Sequence, residues 1–198
     1  MRTFKMVEPT SGFSSVTEAK KRLRRVMKQK RGETENRDLK ESLAIDRFFA
    51  SPYAEKGSFF VYLSFSSELP TDKLIERLLL ENKRVYCPVI NGKEMVAVAY
   101  GEDFSVSDFG TREPVGEAYH GPIDVVIAPL LAADEKGGRL GYGGGYYDRF
   151  LKSHPESVVL GWCYDFQVVQ TVPQEEGDVP LSAIVTERET YVCNQANK

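Results

Sequence analysis

The residues best suited to chemistry lie close together, in the run Asp134-Glu135-Lys136-Gly137-Gly138-Arg139-Leu140-Gly141-Tyr142-Gly143-Gly144-Gly145-Tyr146-Tyr147-Asp148-Arg149-Phe150. Six glycines fall between Gly137 and Gly145. Glycine admits positive φ and lets the backbone approach a ligand, so several amide N–H groups can converge on an anion. The run follows an apolar stretch ending at Ala128 and leads into a helix predicted from about Gly145 to Lys152. The N-terminus of that helix would add a positive dipole end. Arg139 offers a planar fork for phosphate oxygens. Together these features predict a phosphate cradle at the carboxyl end of a parallel strand. The plainer alternative is a flexible surface loop. The run is neither GxxxxGK[ST] nor GxGxxG followed by a ribose-binding acid. Its tyrosines, and an Asp148 beside Arg149, still set it apart from a linker, which would favour Ser and Gly.

A second group of reactive types opens the chain. Between Thr17 and Lys40 there are ten cations, Lys20, Lys21, Arg22, Arg24, Arg25, Lys28, Lys30, Arg31, Arg37 and Lys40, against four acids. Ser15 and Glu18 form an S-x-x-E capping box that starts a helix. Ala19, Leu23, Val26 and Met27 give that helix a narrow apolar stripe. On a helix, positions 20 and 24 share a face, so both cationic heads can reach one polyphosphate. The alternatives are a solvated basic helix or an RNA-binding patch.

The elements that must position these groups alternate between helix and strand. A second helix is predicted from Thr34 to about Ala50, burying Leu39, Leu43 and one or both of Phe48 and Phe49. Residues 58–63, 123–128 and 158–163 are apolar on both faces, as in buried parallel strands. Thr71 caps a helix whose inner face is Leu74, Ile75, Leu78 and Leu79. Strands 84–89 and 95–100 flank an Asn91-Gly92 hairpin turn. Residues 101–122 read as a long loop, and 182–185 and 191–192 as short edge strands. This pattern predicts a single-domain three-layer α/β sandwich with a mostly parallel, Rossmann-like sheet. One domain spans residues 1–198, with 1–14 a loose leader.

Length and composition bound the function. At 198 residues the chain fits one core, and 41% apolar with 28% charged residues is an ordinary globular balance. The net charge of −3 argues against a nucleic-acid polycation. No apolar run is long enough to span a bilayer. The opening residues lack a secretory h-region, which points to an intracellular protein. Three widely spaced cysteines and two histidines exclude a disulfide framework and a thiolate zinc site, and leave no evident nucleophile–base pair.

Arg139-Leu140-Gly141-Tyr142-Gly143-Gly144-Gly145-Tyr146-Tyr147-Asp148-Arg149 resembles the signature of the 5-formyltetrahydrofolate cyclo-ligase family. Lys20-Lys21-Arg22-Leu23-Arg24 is similar to the family's K-x-x-L-R element. Ser64 to Thr71 resembles its S-x-x-x-E-x-x-T segment, and Glu113-Pro114 and Gln170, Pro173 and Asp178 also fit. The resemblance covers about residues 17–187. It implies an ATP- and Mg²⁺-dependent, cytoplasmic, monomeric enzyme acting on a reduced folate, with no nucleic-acid or membrane partner. The implied ATP-binding residues are Lys20, Lys21, Arg22, Leu23 and Arg24, joined by Arg139, Leu140, Gly141, Tyr142, Gly143, Gly144, Gly145, Tyr146 and Tyr147. Leu63, Glu68, Tyr142, Gly143, Gly144, Gly145 and Tyr146 are implied to bind the folate. Arg139 and Tyr146 are the implied catalytic residues, and Asp148 and Asp178 hold Mg²⁺. Each has a plainer reading too: Asp148 as a helix-start charge, Leu63 and the tyrosines as packing residues. Lys28, Lys30 and Arg31 read as surface charge, and Met95, Phe109 and Trp162 as core. Where many family members carry Phe-Asp, this chain has Ala132-Ala133-Asp134, a change expected to enlarge the pocket.

Overall fold

The computed structural model describes residues 15–107 and 110–193. The predicted leader and Phe109 lie outside them. Among the described residues there are four α-helices: α1 (Val16–Gly32), α2 (Arg37–Phe49), α3 (Asp72–Leu80) and α4 (Tyr146–Lys152). In the first half of the chain come β1 (Ser58–Val61), β2 (Arg84–Asn91), β3 (Glu94–Ala99), β4 (Phe104–Val106), β5 (Arg112–Pro114) and β6 (Ala118–Tyr119). The second half supplies β7 (Val125–Ala128), β8 (Ala132–Ala133), β9 (Arg139–Leu140), β10 (Val158–Trp162), β11 (Ala183–Val185) and β12 (Thr190–Val192).

Eight strands form one sheet in the order β12-β11-β10-β7-β1-β2-β3-β6. The inner five, from β11 to β2, pair in parallel, and β12, β3 and β6 add antiparallel edges. Taken alone, the parallel strands run 2-1-3-4-5, a doubly wound order whose direction of winding reverses between β1 and β7. Such a reversal opens a crevice at the carboxyl ends of the two strands. At the opposite end, Asp124 Oδ2 accepts from the Gly57 and Ser58 amides at 3.0 and 2.9 Å, locking the entry to β7 against β1.

Every residue of β1 and β7 is buried, because helices cover both faces. Phe59 and Val61 point into one layer with Ala44, Ile45 and Phe48 of α2 and Leu74, Ile75 and Leu78 of α3. Phe60 points the other way and stacks on Phe150 of α4 with ring centres 4.3 Å apart. A third cluster joins Met27 of α1 to Leu131, Ala132, Leu140 and Val172, seating α1 on the β8–β9 hairpin. Three layers result, with α1 beside the crevice.

Several local expectations change. Helix α2 begins at Arg37, and Leu39 and Leu43 are 61% and 41% exposed. Its inner face is Glu41, Ala44, Ile45 and Phe48, with Glu41 accepting from Lys73 at 2.8 Å. Leu79 likewise faces outward. The stretch 101–122 holds β4, β5 and β6, each three residues or shorter, too brief to show a period of two. Of the two short C-terminal strands only β12 is an edge, since β11 is paired on both sides. Among the described residues no helix is long and apolar enough to cross a membrane.

Candidate active site

A pocket of about 880 Å³ opens at the crevice, within the size range of small-molecule sites. Tyr62 and Leu63 follow β1, Pro129 follows β7, and Pro88, Ile90 and Met95 come from the β2–β3 hairpin. The glycine-rich run forms another wall, and α1 lays Lys20, Arg24, Lys28 and Arg31 along the side. The pocket is thus apolar and aromatic at one end and cationic at the other.

The glycine run is held in place by Asp134. This carboxylate is 2% exposed; its Oδ1 accepts from the Lys136 and Gly138 amides at 3.0 and 2.9 Å, and its Oδ2 from Val172 N at 2.7 Å. Gly137 (φ +89°) turns where a Cβ would sit 2.7 Å from the Leu181 carbonyl oxygen, so only glycine fits. Ala132 and Ala133 are wholly buried in the hairpin core and do not line the pocket.

The opening helix meets the glycine turn directly. Arg24 Nε donates to the Gly141 carbonyl at 2.9 Å. Lys20, 6% exposed, donates to Asp178 Oδ2 at 2.7 Å and Glu175 Oε2 at 3.2 Å. Burial alone would raise the Asp178 carboxyl, but Lys20 and the Glu175 amide outweigh it and hold it below the ordinary carboxylate value. Arg139 Nη2 donates to Asp148 Oδ1 at 2.7 Å, and the Val179 amide donates to the same oxygen at 3.2 Å. The predicted cations and acids therefore gather at one end of the pocket as alternating partners.

The other end is organised around Glu68. Its segment is tied down by Thr71, whose hydroxyl donates to the Tyr62 carbonyl at 2.7 Å and accepts from Ser64 N at 3.1 Å, the use to which this helix cap puts its side chain. Arg37 Nη2 donates to the Glu68 carbonyl at 2.7 Å, and Trp162 Nε1 to the Pro70 carbonyl at 2.9 Å. The carboxylate itself is 6% exposed. It accepts from Phe65 N at 2.8 Å through Oε2 and from the Tyr142 hydroxyl through Oε1. Arg31 Nη1 lies 4.0 Å from Oε1. Burial pushes the Glu68 carboxyl above its ordinary 4.5, although Tyr142, Phe65 N and Arg31 each pull it down. Tyr142 spans the pocket from the glycine turn, its ring 5.6 Å from both Lys28 Nζ and Arg31 Cζ. Burial and the neighbouring Glu68 charge raise its phenol.

Of the expected residues, Leu63, Lys20, Arg24, Glu68, Arg139 to Asp148 and Asp178 all line this pocket. Lys21, Arg22 and Leu23 do not. The first two are exposed on the outer face of α1, and Leu23 packs on the cluster under it. Arg31 was expected at the surface, but it is 4% exposed, with Nε donating to Ser67 Oγ at 3.0 Å and Nη1 to the Leu130 carbonyl at 3.4 Å. Lys28 lines the pocket as well, as does Met95. The signal for Arg31 and Lys28 was the spacing 20-24-28-31, a continuous helical face. Helix α4 runs from Tyr146 to Lys152 behind an N-cap at Gly145, as expected. Among the described residues no cluster of three or more His, Cys, Asp or Glu side chains is disposed to hold a metal.

A doubly wound sheet with a two-ended pocket at its winding reversal, lined by buried charged groups, is the architecture of a small-molecule α/β enzyme. Which enzymes share it is settled by comparison. The chain belongs to the 5-formyltetrahydrofolate cyclo-ligase family, whose model matches residues 16–187. It is 39% identical over 137 residues to the 5-formyltetrahydrofolate cyclo-ligase of Escherichia coli K12, covering 64% of this chain and 75% of that protein. It is 30% identical over 202 aligned positions to a probable 5-formyltetrahydrofolate cyclo-ligase of Caenorhabditis elegans, covering 91% and 98%. Among solved structures, the 5,10-methenyltetrahydrofolate synthetase of Aquifex aeolicus superposes with a TM-score of 0.78 at 29% identity, covering 90% of this chain and 95% of that one.

Proposed function

We propose that this protein closes 5-formyltetrahydrofolate into 5,10-methenyltetrahydrofolate with cleavage of ATP to ADP and phosphate. The observation that carries the proposal is the division of one pocket into a cationic end (Lys20, Arg24, Arg139) and an apolar end closed by a buried carboxylate, Glu68. A polyphosphate suits the first and a pterin ring the second. Both reactants then share a single cavity, as transfer between them requires.

The formyl group on N5 is an amide, and its oxygen is a poor leaving group. Attack of that oxygen on the γ-phosphorus breaks the bond to the β-phosphate oxygen and releases ADP. The resulting iminium-like phosphate has an electrophilic carbon. Folate N10 bonds to that carbon and gives up its proton, and phosphate leaves with the C–O electron pair. The protein supplies positioning and charge rather than a nucleophile. Arg139, fixed by Asp148, and Lys20, fixed by Asp178 and Glu175, oppose the charge on the phosphoryl groups. Arg24 fastens the glycine turn over them, and Tyr146, its ring near Arg149, lines the turn's exit toward the folate. Glu68 is free to take the pterin N–H edge once Tyr142 leaves Oε1, a movement that Gly141 and Gly143 on either side permit.

Asp148 and Asp178 suit Mg²⁺. Each engages protein donors through one oxygen, leaving the other for an ion that commonly takes one or two carboxylates and completes its shell with phosphate oxygens and water. Bound there, the ion would neutralise polyphosphate charge. The reading implies a cytoplasmic enzyme active as a monomer. Its test is turnover: purified protein should form the methenyl product only with 5-formyltetrahydrofolate, ATP and Mg²⁺ all present. A folded sample that gives none in the complete mixture would overturn the assignment.

A further inference from the structure

Among the described residues, two buried side-chain polar atoms have no hydrogen-bond partner, the Tyr147 hydroxyl and Arg139 Nε. Both residues line the same pocket, and the Arg139 guanidinium carbon lies 5.6 Å from the Tyr147 ring centre. Leaving such a group unmade costs about 1–3 kcal/mol, and native structures keep few of them without a reason.

The position of Tyr147 is not accidental to the loop. It sits in the first turn of α4, two residues beyond Gly145, with its ring against Phe60 of β1 at 6.2 Å. Its ring is therefore held by the sheet, whereas Tyr142 stands on the glycine turn itself. A phenol hydroxyl is both a donor and an acceptor, and in this pocket wall neither capacity is used. Nothing in the packing needs the oxygen, since a phenylalanine would fill the same space without the orphaned group.

We propose that the Tyr147 hydroxyl is a folate-binding donor, reserved for a carbonyl oxygen on the edge of the reduced folate that carries the formyl group. This rests on the reading above and moves Tyr147 from the nucleotide side of the site to the folate side. Two oxygens share that chemistry, the pterin ring carbonyl and the neighbouring N5-formyl oxygen. While the carboxylate of Glu68 accepts from the ring's N–H groups, Tyr147 donates to the adjacent acceptor. The two residues read the donor and acceptor halves of one molecular edge.

The experiment is Tyr147→Phe, with dissociation constants measured calorimetrically for 5-formyltetrahydrofolate, tetrahydrofolate and ATP, alongside the melting temperature of the unliganded protein. The variant should bind 5-formyltetrahydrofolate about tenfold more weakly, bind ATP as before, and melt at or above the wild-type temperature, because an unsatisfied group has been removed. Equal loss for tetrahydrofolate assigns the ring carbonyl, and loss confined to the formylated compound assigns the formyl oxygen. Unchanged folate affinity overturns the proposal. So does a loss of ATP affinity with folate binding intact, or a lower melting temperature, which would show that the hydroxyl has a structural partner. Wild-type protein that binds no 5-formyltetrahydrofolate would instead overturn the proposed function itself.

Discussion

Replacing Arg31 with methionine tests whether Glu68 depends on the cation that α1 buries beside it. The guanidinium and carboxylate are 4.0 Å apart, with side chains 5% and 7% exposed. At that distance and an effective dielectric of about 20, their attraction is about 4 kcal/mol before desolvation. Breaking a buried pair typically costs about 3–5 kcal/mol. Glu68 keeps two donors, Tyr142 and Phe65 N, so the lower end, about 3 kcal/mol, is expected at pH 7. That corresponds to a fall of about 6–12 °C in melting temperature for a chain of this size. The dependence on pH is the sharper measure. The folded Glu68 carboxyl already titrates above its ordinary 4.5, and losing the cation raises it further. A raised carboxyl means that the folded state holds its proton longer than the unfolded chain, so stability is lost as pH rises from below 4.5 through the folded value. Near pH 4 the charge is absent in both proteins, and what is missing is the pair of hydrogen bonds to Ser67 and Leu130, about 1–3 kcal/mol together. Urea unfolding at pH 4 and pH 7 should therefore show a deficit that is larger at pH 7. A deficit equal at both values, or below about 0.5 kcal/mol at both, would refute the coupling.

Three further outcomes follow from the same geometry. Glu68→Gln should flatten the fall in stability above pH 4.5, seen in melting curves, while raising the KM for the folate far more than that for ATP; an unchanged folate KM would remove Glu68 from the pterin end. Asp148→Asn should raise the Mg²⁺ and ATP concentrations needed for half-maximal turnover, since Arg139 loses its charged partner; steady-state titrations with unaltered requirements would count against the metal assignment. Gly137→Ala, which adds a Cβ 2.7 Å from Leu181 O at φ +89°, should destabilise by about 2–3 kcal/mol in urea unfolding.

The elements that carry the fold were legible because their patterns are local. β1 and β7 are apolar on both faces and prove buried on both, and β2 folds back on β3 as the Asn91-Gly92 signal predicts, although Asn91 pairs with Glu94 and the two turn residues are Gly92 and Lys93. The glycine-rich run announced itself by residue type, and the match to family motifs located the acids and cations that share its pocket. Even the miss at Arg31 was half visible, since 20, 24, 28 and 31 fall on one helical face. What the spacing could not say was which way that face turns. Orientation depends on what α1 packs against, and the β8–β9 hairpin that receives Met27 is built from two-residue strands with no periodic signature. Leu39 and Leu43 failed for the same reason. A helix with apolar residues on two sides buries the side its neighbours can approach, and Ala44 lets α2 come close to the sheet.

The chain by itself, through residue type and short-range spacing, determined that strands alternate with helices and that a glycine turn stands near a basic helix. Tertiary structure alone decided that β1 and β7 meet at the winding reversal, that Glu68 is buried beside Arg31, and that the Tyr147 hydroxyl has no partner among the described residues. Those facts depend on contacts between residues far apart in sequence, 37 positions for Arg31 and Glu68 and 66 for the paired residues of β1 and β7, and burial and electrostatics exist only once such contacts have formed.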